Sequence, residues 1–224
     1  MSKKLIVFDA DGTLVDSQHA LIEAMRAGFR SVGREVPSRN KLVGVAGLTP
    51  RDAFARLMPF VSEAELSEMA LGYRHHYFEM HSQSVDGTAL FPDVRNVLES
   101  LSDDPRFLVG LATGKSEQAT KLMLEQFELD RIFDTVQFAD RHPSKPHPSM
   151  LTTALSETAT TPENAVVVGD TTADIQMAKT GGVKAIGVSW GFHSAEALKL
   201  QGAYSVIDQM TDLTGQLEYI WGGA

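Results

Sequence analysis

The sequence predicts an α/β protein, a doubly wound parallel sheet carrying an α-helical cap inserted after its first strand. Three observations carry that expectation. Residues 5–8, Leu-Ile-Val-Phe, form an apolar run without polar alternation, which reads as a strand buried on both faces. From Phe91 onward strand and helix signals alternate, the rhythm of βα units joined by right-handed crossovers. Between Val15 and Val85 the periodicity is helical and no convincing strand occurs. The expected division is a core of residues 1–14 and 86–224 and a cap of residues 15–85.

In chain order, Leu21, Ile22, Met25 and Phe29 recur at helical spacing behind a candidate N-cap, Ser17. Thr49-Pro50 opens a second helix, residues 51–57, which Pro59 closes. Ser62 and Glu65 form a capping box for a third helix running through Leu66, Met69 and Tyr73 towards Met80. In the alternating half, helices are expected at 92–101, from Ser116, at 148–155, at 174–179, from Ser194 to Gly202, and at 211–221. Strands are expected at 107–112, 135–138, 165–168, 183–188 and 204–207. Gly181 suits a left-handed C-cap.

Composition narrows the function. The 224 residues are 43% hydrophobic, enough for a proper core, and the formal charge of −9 argues against a nucleic-acid footprint or attraction to anionic membranes. No stretch approaches the ~20 apolar residues of a membrane span. Residues 1–4 lead directly into the first strand instead of a signal-peptide apolar region, and the absence of Cys excludes disulfides and thiol catalysis. A cytoplasmic location is the expectation, with oligomeric state open.

Several apolar strands stop at compact polar signatures: Asp9-Ala-Asp11-Gly-Thr13, Thr113-Gly114-Lys115, and Gly169-Asp170 followed by Asp174. Taken alone, the first could be an ordinary Asx turn. In a parallel sheet, however, all strand tips share one edge, where loops fan apart and ligands bind. Clustered carboxylates there would raise one another's pKa unless a cation sat between them, and a hard divalent cation with oxygen ligands is the simple solution. Asp170 and Asp174, one helical turn apart, could both face the crevice. A helix-loop-helix Ca2+ site fails on spacing, because its twelfth position would be Ala20 and its glycine comes too early. Neither a Walker phosphate loop nor a dinucleotide fingerprint is present.

These signatures resemble the haloacid dehalogenase superfamily over nearly the whole chain, with phosphoglycolate phosphatases and their relatives as the similar subgroup. Asp9 to Ser17 looks like the first motif, Thr113 the second, Lys145 in Ser-Lys-Pro-His-Pro the third, and Gly169-Asp170-Thr-Thr-Ala-Asp174 the fourth. The resemblance implies a Rossmann-like core and a Mg2+-dependent phosphatase of small phosphate esters, with phosphoglycolate as the leading substrate. It implies Asp9 as nucleophile and Asp11 as acid and base. Mg2+ would be held by Asp9, the Asp11 backbone carbonyl and Asp170, with Asp174 in support, and the phosphoryl oxygens by Thr113, Gly114 and Lys145. A sugar-phosphate mutase would use the same core acids, and a non-catalytic binding protein keeping the fold is a further alternative.

Other residues carry weaker signals. Arg51, after the loop of residues 44–50, is a candidate contact for an anionic substrate group, although an exposed helical arginine is the commoner outcome. The only lysine of the insert, Lys41, reads as a surface residue and not as a Schiff-base lysine. His75, His76, Glu79 and His81 point to different helix faces, against a zinc site. His142 and His147 flank Lys145 and could line the cleft, and Trp190 reads as packing.

Overall fold

A computed structural model describes residues 3–82 and 87–222, with side chains at 81 and 82 excepted. The elements in order are β1 (Lys4–Phe8), β2 (Val15–Asp16), α1 (Gln18–Ser31), α2 (Arg39–Val43), α3 (Pro50–Leu57), α4 (Glu63–Ser82), β3 (Ala89–Leu90), α5 (Val94–Asp103) and β4 (Phe107–Thr113). They continue with α6 (Glu117–Gln126), β5 (Thr135–Phe138), α7 (Ser149–Glu157), β6 (Ala165–Gly169), α8 (Thr172–Thr180), β7 (Lys184–Val188), α9 (Ala195–Gln201), β8 (Ser205–Ile207) and α10 (Leu213–Trp221).

The main sheet has six parallel strands in the order β5-β4-β1-β6-β7-β8. The chain builds outward from β1 on one side, returns, and builds outward on the other. The point of reversal therefore lies between β1 and β6, which is where open α/β sheets hold ligands. Both faces of β1 are covered, as its unbroken apolar run requires: Ile6 and Phe8 join Val109, Leu111, Val166 and Val168 on one side, while Leu5 and Val7 join Val167, Met150 and Ile175 on the other. The predicted α/β class with a helical cap is the observed one.

The helices after β2 enclose a separate core in which Ile22, Met25 and Phe29 of α1 meet Phe54 of α3 and Leu66 and Met69 of α4. Phe29 and Phe54 cross edge to face with centroids 5.4 Å apart. The Thr49 cap and the Ser62–Glu65 box form as expected, through Asp52 N–H to Thr49 and Glu65 N–H to Ser62 Oγ at 3.2 Å. The expected boundary between 85 and 86 lies outside the described residues.

Four local expectations change. A short ribbon, Val15 against Leu90 and Asp16 against Ala89, brings the two connections of the insert side by side. A five-residue helix, α2, was not signalled because Arg39–Val43 is too short for periodicity to register. Ser17 precedes α1 without capping it, since its hydroxyl is turned to Asp11. The left-handed residue after α8 is Gly182, with φ of 71°, while Gly181 has φ of −80°.

Candidate active site

Asp9 is the first residue beyond β1 and Asp170 the first beyond β6, so the strand pair at the reversal point delivers both acids to one place. The Asp9 N–H donates to the Val168 carbonyl at 2.9 Å, extending the ladder to this candidate residue. Carboxylate oxygens of Asp9, Asp170 and Asp174 lie within 4.8 Å of one another, all buried. Among the described residues this is the only such group of acids or histidines; His75, His76 and Glu79 form none, and the His81 side chain is outside the description.

Each acid is held differently. Asp170 accepts the Phe192 N–H at 2.8 Å and the Thr13 hydroxyl at 3.0 Å. Gly12 and Gly191 press against it, and a β carbon at either position would fall 2.2 Å from its side chain. Asp174 closes a capping box on α8, accepting from Thr171 N–H at 3.0 Å and Thr171 Oγ at 2.6 Å, and its other oxygen meets Lys145 Nζ at 2.6 Å. Asp170 precedes the helix, so the two acids converge through the loop geometry and not through helical spacing. Lys145 Nζ also donates to Asp9 at 2.7 Å.

Burial, with Asp174 and Asp11 nearby and Lys145 opposing, pushes Asp9 up to about 7. Burial and the neighbouring Asp9 and Asp174 raise Asp170 well above the usual carboxylate range. Burial disfavours the Lys145 ammonium, but Asp174 and Asp9 more than offset it and hold the group charged. With all three carboxylates ionised, one ammonium would leave two negative charges to be balanced, and an all-oxygen donor set of that charge fits a hard dication.

Asp11 stands apart from this cluster. Its Oδ1 accepts Lys115 Nζ at 2.7 Å and Ser17 Oγ at 2.5 Å. Lys115 is buried too, reaches the Tyr77 hydroxyl of α4 at 3.0 Å, and lies 5.0 Å from that ring's centroid. Sequence reasoning assigned Lys115 no role, although it ends the Thr113-Gly-Lys signature, and it did not single out Tyr77, one turn after Tyr73.

Above these groups lies a cavity of about 340 Å³ lined by Asp9, Asp11, Gly114 and Lys115 from the core. Its other wall comes from the helical insert, including Leu21, Met25, Val45, Arg51, Tyr73 and Tyr77. Thr113, Lys145, Asp170 and Asp174 are buried beside it without lining it, and the Thr113 hydroxyl accepts the Lys115 N–H at 3.2 Å. Arg51 lines the cavity, but its guanidinium pairs with Glu63 at the surface. Lys41 is exposed, as expected.

His142 lines the cavity with both ring nitrogens engaged, by Ser149 Oγ and Gln137 Oε1 at 2.9 Å each, and burial lowers its pKa. His147 is exposed. Trp190 packs on Phe91 and donates from Nε1 to the Thr13 carbonyl at 3.2 Å.

The insert is seated on the core. Thr49 N–H donates to Ser144 Oγ at 2.9 Å, Gly47 fits against Thr171, and the Leu48 carbonyl crowds Gly114. His193 bridges the two parts: its Nδ1 accepts the Thr172 N–H at 3.0 Å, which leaves Nε2 to donate to the Val43 carbonyl at 3.3 Å.

Comparison with known proteins agrees with this architecture. The chain is 32% identical over 215 residues to the Dickeya dadantii protein named Probable phosphatase IndB, covering 95% of this chain and 93% of that one. It is 27% identical over 211 residues to Pyrophosphatase PpaX of Bacillus cereus, covering 93% of each. A haloacid dehalogenase-like family hydrolase of Streptococcus pneumoniae superposes with a TM-score of 0.81 at 25% identity, covering 96% of this chain and 99% of that chain. Among the described residues no helix is long and apolar enough to cross a membrane. Residues 6–188 match the haloacid dehalogenase-like hydrolase family, and the chain belongs to it.

Proposed function

We propose that the protein is a Mg2+-dependent phosphatase of small phosphorylated metabolites, phosphoglycolate-like monoesters among them, working through an aspartyl-phosphate on Asp9. The observation that carries this reading is the buried Asp9–Asp170–Asp174 cluster, bridged by Lys145 and placed beneath a cap-covered cavity at the sheet's reversal point. Asp9, Asp170 and the Asp11 carbonyl would hold the cation, with Asp174 as support; the dication supplies charge neutralisation at the phosphoryl oxygens.

The chain's own residues account for the proton and bond changes. An Asp9 oxygen attacks phosphorus, the bond from phosphorus to the leaving oxygen breaks, and protonated Asp11 gives its proton to that oxygen. Water then attacks the phosphorus of the aspartyl-phosphate, Asp11 takes the water's proton, the Asp9–phosphorus bond breaks, and inorganic phosphate leaves. Lys145 offsets the negative charge throughout, Gly114 borders the phosphoryl site, and the seated insert limits water access to it. Arg51 is the candidate contact for a distal anionic group on the substrate once Glu63 releases it.

The test is hydrolysis of p-nitrophenyl phosphate with and without EDTA, with Asp9→Asn as control. Turnover that EDTA stops and Mg2+ restores, and that Asp9→Asn abolishes together with the trapped phosphoenzyme, is expected. Survival of either in that variant would remove Asp9 as the nucleophile, and metal-independent turnover would remove the cation.

A further inference from the structure

Asp11 has two carboxylate oxygens in unequal surroundings. Oδ1 is committed to two donors, Lys115 Nζ and Ser17 Oγ, while Oδ2 has no hydrogen-bond partner among the described residues, and the residue lines the cavity. An acid that must hand over one proton and later recover one from water needs a single free oxygen at a fixed position. A carboxylate held only by its own rotamer would turn, exchanging the two oxygens and losing the alignment that makes proton transfer fast.

Lys115 itself is not a free side chain. Its side chain is 6% exposed, and its ammonium spans from Asp11, on the loop after β1, to the Tyr77 hydroxyl, on α4 of the insert. The lysine therefore touches the acid from the core side while its position is set from the cap side. Tyr77 is braced in turn, stacked on Tyr73 with ring planes 6° apart and crossed by Phe78 at 5.7 Å.

From this geometry we propose that Lys115 is the positioning residue of the acid/base step: it pins Asp11 Oδ1 so that Oδ2 faces the leaving oxygen and then the water, and Tyr77 lets it do so only when the cap is seated. The inference rests on the phosphatase reading. It adds that the cap contributes to the proton transfers through Tyr77, beyond covering the substrate.

The leaving group provides a readout that a merely structural lysine would not move. Expulsion of p-nitrophenolate needs little protonation, whereas a primary alkoxide needs it fully. The measurement is kcat/KM of the Mg2+-loaded full chain, which reports the first phosphoryl transfer, on p-nitrophenyl, phenyl and primary alkyl phosphates. The enzymes compared are wild type, Lys115→Met, Lys115→Arg, Tyr77→Phe and, as the limiting case, Asp11→Asn. Lys115→Met is expected to lose on the order of 10²-fold on the alkyl ester and less than about tenfold on p-nitrophenyl phosphate. Lys115→Arg should recover most of the loss, and Tyr77→Phe should shift the same ratio by a smaller factor.

Equal losses on all three esters, or none, would overturn the proposal, and so would a loss confined to KM, which would make Lys115 a substrate contact. Should Lys115→Met fail to fold, as judged by its thermal melt, the Arg and Tyr77→Phe variants read the same ratio, and an unchanged ratio in both overturns it. A wild-type chain that hydrolyses none of the esters would remove the phosphatase reading itself, and this inference with it.

Discussion

Lys145 Nζ lies 2.7 Å from the Asp9 carboxylate, and neither side chain is more than 3% exposed. The same ammonium meets Asp174 at 2.6 Å, so one cation is shared by two buried acids on different elements. Lys145→Met would leave both acids without it. Removing one partner of a buried ion pair costs about 3 to 5 kcal/mol. Urea unfolding of the metal-free variant should show a loss of that order, part of it recovered when Mg2+ is added, and turnover should fall by about 10² to 10³-fold. Unchanged stability without metal would mean that the acids do not depend on this lysine.

The raised carboxylates also set a pH dependence. Asp9 is pushed from 3.8 up to about 7, first by burial, and Asp170 shifts in the same direction for the same first cause. Between those two values the folded metal-free chain holds a proton that the unfolded chain has released, so this contribution to stability falls as pH rises through the window. A bound dication needs these groups deprotonated. The rise in melting temperature on adding Mg2+ should therefore be larger at about pH 8 than at about pH 5.5, and it should vanish in Asp170→Asn. A larger rise at the lower pH would contradict this account.

Gly12 has a φ of 83°, and a β carbon there would fall 2.2 Å from Asp170 Oδ2. Gly12→Ala combines backbone strain with a clash against a proposed metal ligand. It should cost about 1 to 3 kcal/mol in chemical denaturation and weaken Mg2+ binding in a calorimetric titration. Wild-type affinity in this variant would show that Asp170 can move without consequence.

Ser144 Oγ accepts the Thr49 N–H and so ties the start of α3 to the loop that carries Lys145. Ser144→Ala removes that tie, worth about 1 kcal/mol, or roughly fivefold in the balance between seated and unseated cap. KM should rise by up to that factor in steady-state kinetics, with the aryl-to-alkyl ratio of kcat/KM nearly unchanged. A large change in that ratio would mean that the loop acts on the chemistry directly.

Much of this was legible in the sequence because the relevant signals are local. An unbroken Leu-Ile-Val-Phe run forces a two-sided strand, and the capping chemistry of Thr49 and Ser62 depends on residues three positions away. The convergence of Asp9 and Asp170 was readable because parallel strands share one edge. The remaining features depend on contacts between distant segments. Ser17 has the residue type of an N-cap, but its hydroxyl goes to Asp11, a stronger acceptor that the Asp-Gly turn places within reach. Lys115 stood in a strand-tip signature without an assigned role, because its partner Tyr77 on α4 lies 38 positions away in sequence. Nothing in the order of residues announces that Gly191 and Gly12 close on the same carboxylate.

The two-stranded ribbon that pairs Val15 with Leu90 and Asp16 with Ala89 has a wider consequence. Paired strands lie about 5 Å apart, so the helical insert leaves and re-enters the core through what is, for the core, the tip of one loop. Loop tips accept changes of length and shape at little thermodynamic cost. The insert is thus a replaceable cassette: the wall that meets the substrate can be rewritten while β1 and β6 keep their register and their acids. Recognition and reaction can then diverge on separate schedules, with Tyr77 and Lys115 as the point where a new cassette must still match the old core.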